Sequence, residues 1–186
     1  MKTLIFPVGI FTAFLLLAGC DHQPSDPKDL AEQRNEDKFS TRASEKDAQF
    51  VVDAASAGML EVGMSENAVS NASSAEVKKF AQQMIDAHRP KNEKIERLAK
   101  EKQISIPTVM TKDQVDEINE LGKKTGNDYD MTYMDKQISM HKDVIALFER
   151  ASKQAEDTEL QEFFADALPD LRMHLDMATS VRDHLK

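Results

Sequence analysis

The sequence predicts an all-α domain, a four-helix bundle with a long crossover holding a short helix between helices two and three. Two observations lead there. From Glu45 onward apolar residues recur at helical spacing, with no alternating β-branched run that would make a strand. The gaps between these periodic segments are unequal, short between helices one and two and between three and four, but roughly 25 residues between two and three.

The first helix is expected over about 45–71, with Phe50, Ala54, Ala57, Met64 and Ala68 on one stripe at 100° per residue. Ser73-Ser74 then supplies a turn and an N-cap for a second helix over about 75–102. That helix turns Val77, Phe80, Ala81, Met84, Ile95, Leu98 and Ala99 inward. Ile106-Pro107 ends it, a short helix follows over about 111–124, and Thr125-Gly126-Asn127 breaks that one. The third long helix, about 128–154, has Met134, Ile138, Ile145 and Phe148 on its stripe. The fourth, about 158–185, has Leu160, Phe163, Ala167, Leu171, Ala178 and Val181. A connection as long as the second can run the length of the bundle, the one-crossover arrangement of ferritin-like folds.

Ahead of the bundle, Lys2 and the apolar run Leu4 to Ala18 have the charge and length of a signal peptide, the run being too short at about 15 residues for a comfortable membrane span. The run ends in Leu17-Ala18-Gly19-Cys20, which resembles the bacterial lipoprotein box and places the only cysteine at the position the box requires. The resemblance implies cleavage after residue 19 and lipidation (palmitate among the acyl chains) of Cys20, which anchors the chain stably in a membrane. It implies a periplasmic domain, with Asp21 favouring the inner membrane and the outer membrane left open. Residues 20–44 read as a lipidated cysteine and a flexible spacer, because Leu30 and Phe39 are the only large apolar side chains there. The expected organisation is therefore 1–19 signal peptide, 20–44 spacer and 45–186 bundle.

A net charge of -9 argues against a nucleic-acid partner, which calls for a basic patch or stripe. One cysteine permits neither an internal disulfide nor a thiolate-rich metal site. Each long helix does carry one metal-competent polar residue in its apolar stripe: Glu61, His88, His141 and His174. With a crossover, all four lie at the same height, roughly 16–20 Å from one bundle end, and can meet in a single layer. A buried carboxylate and three imidazoles are costly unless paired, hydrogen-bonded or bound to a cation. The set suits one transition metal ion, Cu, Zn, Fe or Mn. Asp130 and Asp170, on the same helices as His141 and His174, are candidates for orienting imidazoles from behind. Met84, Met134, Met140, Met173 and Met177 lie near the histidines in sequence and point weakly to copper, while His22 and His184 receive no role. No histidine has a Glu three residues before it, since Ile85, Ile138 and Leu171 stand there, so a di-iron carboxylate enzyme is rejected.

Together these residues resemble a bacterial domain family of unknown function, number four-one-four-two, grouped with ferritin-like folds and often given an outer-membrane label. The resemblance covers about 47–185. It rests on Phe50-Val51, Ala54-Ala55, Glu61, Val77-Lys78, Phe80-Ala81, Met84 and His88, then on Leu98-Ala99, Pro107, Tyr129-Asp130, Tyr133-Met134, His141, Phe148-Glu149, Leu168-Pro169 and His174. It implies the fold and the compartment but no activity. Ala87 departs from the family's usual acid before the histidine, and Pro90 and Pro169 are expected to kink or restart their helices.

Three functions remain. The first is a membrane-anchored periplasmic metal binder for buffering, delivery or envelope stress tolerance. The second is a non-catalytic envelope module that docks a protein partner, its polar layer being only a hydrogen-bonded core network. An enzyme is the weakest reading, since no nucleophile–base pair, nucleotide loop or metalloprotease motif is present.

Overall fold

The computed structural model describes residues 26–185, all the regular elements of which are helices. Cys20, Asp21, His22 and the expected signal peptide lie outside the described residues. The helices are α1 (Pro27–Lys38), α2 (Arg42–Asn71), α3 (Ala75–Glu101), α4 (Lys112–Gly122), α5 (Gly126–Gln154) and α6 (Thr158–His184). None of them is long and apolar enough to cross a membrane.

The four long helices pack in a ring, with α2 against α3 and α5, and α6 against α5 and α3. Two aspartates show how the hairpins face each other. Asp47, near the start of α2, accepts hydrogen bonds from the backbone N–H groups of Glu156 and Asp157 in the α5–α6 turn. Asp130, near the start of α5, accepts from those of Ser73 and Ser74 in the α2–α3 turn at 2.8 Å each. Each carboxylate thus satisfies orphan donors at the start of the other hairpin's second helix. α5 therefore begins at the end of the bundle where α2 finishes. The end of α3 lies at the opposite end, where Lys102 reaches Asp157 at 2.8 Å. The stretch from Lys102 to Thr125 must return the length of the bundle, and α4 lies along this path against α2 and α5. A capping box of Thr111 and Gln114 starts α4, and the Gln114 amide donates to the carbonyl and hydroxyl of Ser56 on α2.

The spacer reading is corrected over Pro27–Lys38, which forms a helix packed on α2. Asp26 caps it and proline at its first position suits a helix start. Small and polar groups fasten it rather than large apolar ones. Ala31 is buried, Lys28 pairs with Asp53 at 2.7 Å, and Gln49 donates to Glu32 at 2.7 Å. The buried Asn35 side chain clasps Ser105 in both directions, donating to its carbonyl at 2.8 Å and accepting from its N–H at 2.7 Å. Ser105 follows the turn that ends α3, where Gln103 sits at φ 57° in the left-handed region usually given to glycine. Asn35→Ala is expected to cost about 1–3 kcal/mol by stranding both Ser105 backbone groups. Urea denaturation would measure it, with faster amide exchange confined to 27–38 as the local sign.

Both internal prolines are also tolerated without a break, since α3 continues through Pro90 and α6 through Pro169. Each proline removes one intrahelical hydrogen bond, a loss that the packing of helices this long outweighs.

The apolar interior divides into two clusters. One holds Phe50, Phe148, Phe163 and Phe164, whose rings meet edge-on or tilted at 4.9–6.2 Å between centroids. The other holds Met64, Phe80, Met84, Tyr129, Tyr133 and Met134. On every long helix the polar residue picked out in the sequence falls between the two.

Candidate metal centre

Glu61, His88, His141 and His174 are 2%, 4%, 1% and 4% exposed, and the structure brings all four together. Glu61 on α2 is the hub. Its Oε2 lies 3.0 Å from His88 Nδ1 on α3, and its Oε1 lies 3.1 Å from His141 Nε2 on α5. His88 Nε2 lies 3.1 Å from His174 Nδ1 on α6. His141 Nδ1 donates to the Gln137 carbonyl one turn back, at 2.9 Å. The three rings form a near-equilateral triangle, 5.1, 5.6 and 5.9 Å between centroids. Each offers a nitrogen within 4.8 Å of the other two.

Burial and charge set the protonation of this layer. Burial pushes the Glu61 carboxyl up, but the three histidines and the hydrogen bond from His88 together outweigh it and hold the group below its ordinary 4.5. Burial pushes His141 down, opposed in part by Glu61. His174 is lowered to about 4 by burial first and then by His88 and His141. At neutral pH the layer thus holds a carboxylate beside two neutral imidazoles.

That assignment leaves one contact unresolved. A neutral His141 has a single N–H, and the hydrogen-bond network places it on Nδ1, toward Gln137. Its Nε2 is then an acceptor, and it lies 3.1 Å from Glu61 Oε1, an ionised oxygen. Although the distance would permit an ion pair, the angles make no hydrogen bond, and both buried atoms are without a hydrogen-bond partner. Two acceptor atoms buried side by side without a donor are costly, and a cation bound by both would satisfy them. The His88 Nε2–His174 Nδ1 pair repeats the same 3.1 Å separation on the other side. The three grouped histidines could therefore hold a transition metal, and the donor types suit one.

The two supporting acids chosen from the sequence lie elsewhere. Asp130 is spent on the α2–α3 turn, and Asp170 pairs with Lys91 at 2.9 Å on the surface, neither bonding an imidazole. Helical spacing put them on the right helices but did not say which backbone donors or lysine would claim them. Met84 and Met134 are buried, Met140 and Met177 half-buried, and Met173 is exposed. His184 pairs with Glu76 at 3.0 Å on the surface.

Sequence reasoning missed Gln137. It is fully buried one turn before His141, its carbonyl holds that ring, and both atoms of its amide are without hydrogen-bond partners. A glutamine four residues before a stripe histidine was the available signal. It also missed Tyr133 and Ser65, which meet at 3.1 Å in the core, where burial and then Glu61 raise the tyrosine pKa.

Fold and site together define a class, an all-helical bundle with three buried histidines grouped about one carboxylate. The chain belongs to the family described as Domain of unknown function (DUF4142), whose model matches residues 32–181. The match begins inside α1, in keeping with that helix being part of the folded unit. No curated protein and no solved structure matches the chain.

Proposed function

We propose that this protein is a ferritin-like bundle that binds one transition metal ion through His88, His141, His174 and Glu61. The observation that carries the reading is the unpartnered contact between His141 Nε2 and Glu61 Oε1, two buried donors with no proton between them. An ion there supplies the positive charge both lack, while the Gln137 carbonyl fixes the His141 tautomer. Three imidazole nitrogens and one carboxylate oxygen suit Zn, Cu, Fe or Mn, with Cu²⁺ favoured on intrinsic affinity.

The role that follows is holding or handing on a metal ion at a membrane. Lipidation at Cys20 would place the chain in the periplasm. The competing reading, an envelope module with a structural polar layer, draws on the bonds that Glu61, His88 and His174 already make among themselves.

Thermal unfolding separates the two. Adding Zn²⁺ or Cu²⁺ at a hundred times its Kd should stabilise the full chain by about 2.7 kcal/mol, with one ion per chain at saturation. The His141→Ala/His174→Ala variant should show no such gain. Equal stabilisation of parent and variant would mean that the ion binds elsewhere.

A further inference from the structure

On the outside of the bundle, between α2 and α3, lies a groove of about 440 Å³. Its α2 side is formed by Met59, Val62, Gly63 and Glu66, and its α3 side by Arg89, Asn92, Glu93 and Glu96. Each set follows the spacing i, i+3, i+4, i+7, so each is one stripe about two turns long, or about 10 Å. Val109 and Met110, from the stretch between α3 and α4, close one side. A Cβ on Gly63 would come within 3.0 Å of Ile118 Cδ1 and 3.2 Å of Met110 Sδ, so glycine here lets the crossover lie close against α2.

The lining is apolar along α2 and the crossover and acidic along α3. Met59, Val62 and Met110 are half-buried, and Val109 is 59% exposed, the most exposed large apolar side chain among the described residues. Two of the four are methionines, whose flexible thioethers adapt to a partner's shape. Arg89 and Glu66 pair with each other across the groove. Glu93 and Glu96 are exposed and make no ion pair with a described residue. Unpaired acids beside an apolar trough match a helix that carries apolar side chains at the same spacing and lysines or arginines along one flank. A second copy of this chain fits poorly, because a net charge of -9 repels its like.

We propose that this groove docks a cationic amphipathic helix of a protein partner, with the partner's apolar stripe on Met59, Val62, Val109 and Met110 and its basic flank on Glu93 and Glu96. The surface is independent of the metal-site reading, since Glu61 and His88 are buried on the inner faces of the same two helices.

The probe is a synthetic helical peptide of leucine and lysine, its leucines at i, i+3, i+4 and i+7, titrated into the isotope-labelled full chain while backbone amide shifts are recorded. Saturable one-to-one binding is expected, with the shifts centred on 59–66, 89–96 and 109–110. Glu93→Lys/Glu96→Lys should bind the peptide at least about tenfold more weakly. Glu162→Lys/Asp166→Lys, the same charge change at exposed acids of α6, should stay within about twofold of the parent. A peptide of equal composition with its leucines spread around the helix should also lose at least about tenfold. Absence of saturable binding, or shifts centred on other residues, would overturn the proposal. Equal weakening by both charge reversals, or undiminished binding of the spread peptide, would do so too, since attraction to overall charge would then explain the binding. Self-association of the chain that shifts these same amides would overturn the choice of occupant in favour of a second copy. Should Glu93→Lys/Glu96→Lys fail to fold, the spread peptide and the map of shifts decide.

Discussion

Acidifying the metal-free chain from pH 7 to pH 4 is expected to remove about 3 kcal/mol of its stability through His174 alone. The folded protein holds this imidazole at about 4, against an ordinary value of 6.5 in the unfolded chain. Between those values the unfolded chain takes up a proton that the folded chain refuses, so stability falls as pH falls. Below about 4 both states are protonated and this contribution levels off. His141, also lowered by burial, acts in the same direction. Glu61 works further down. Its folded value lies below the ordinary 4.5, so the stability it contributes is complete above 4.5 and is lost as pH falls through the folded value. Urea denaturation at intervals between pH 7 and 4 checks the slope, and His174→Leu should remove most of it. A stability that is flat across this range would show that the imidazole is not held neutral by burial. Since protons and metal compete for the same nitrogens, acid should also release the ion.

The second large effect comes from treating the layer as a unit. Glu61→Leu alone should destabilise the metal-free chain by about 1–3 kcal/mol, because the buried His88 N–H is left without an acceptor. Replacing all four residues by leucine should instead leave stability unchanged or raise it by about 1–4 kcal/mol, since no stranded partner remains and the two apolar clusters become continuous. Denaturant titrations of parent, single and quadruple variants measure both signs. A quadruple variant that is stabilised, cooperative and unable to bind metal would mean that the layer serves binding rather than folding. If it unfolds without cooperativity or changes its helix packing, the layer fixes helix register and the structural-module reading gains.

The layer was legible in sequence because each of its residues interrupts an otherwise apolar stripe, and a polar residue in such a position stands out. The crossover followed from loop lengths, and with it the common height of Glu61, His88, His141 and His174. What could not be read were contacts decided by groups distant in sequence. α1 was missed because its fastening depends on Ala31 and Asn35, and the Asn35 clasp reaches a turn that only the fold brings near. Asp130 looked like a partner for His141 because both lie on α5. It sits, however, at the end of that helix, where the unbonded N–H groups of Ser73 and Ser74 compete for it. The unpartnered His141 Nε2 could be recognised only from the ring's hydrogen bond to the Gln137 carbonyl, and helical spacing does not say which ring nitrogen faces which oxygen.

The central claim is that a metal ion belongs to this layer, and elemental analysis tests it most directly. The full chain, without a histidine tag, would be isolated from the cells that make it, beside the His141→Ala/His174→Ala variant. Close to one transition metal ion per chain in the parent and none in the variant is the expected result. The contrary result is a parent that carries no metal as isolated and takes up none of Cu, Zn, Mn or Fe under either oxidising or reducing conditions.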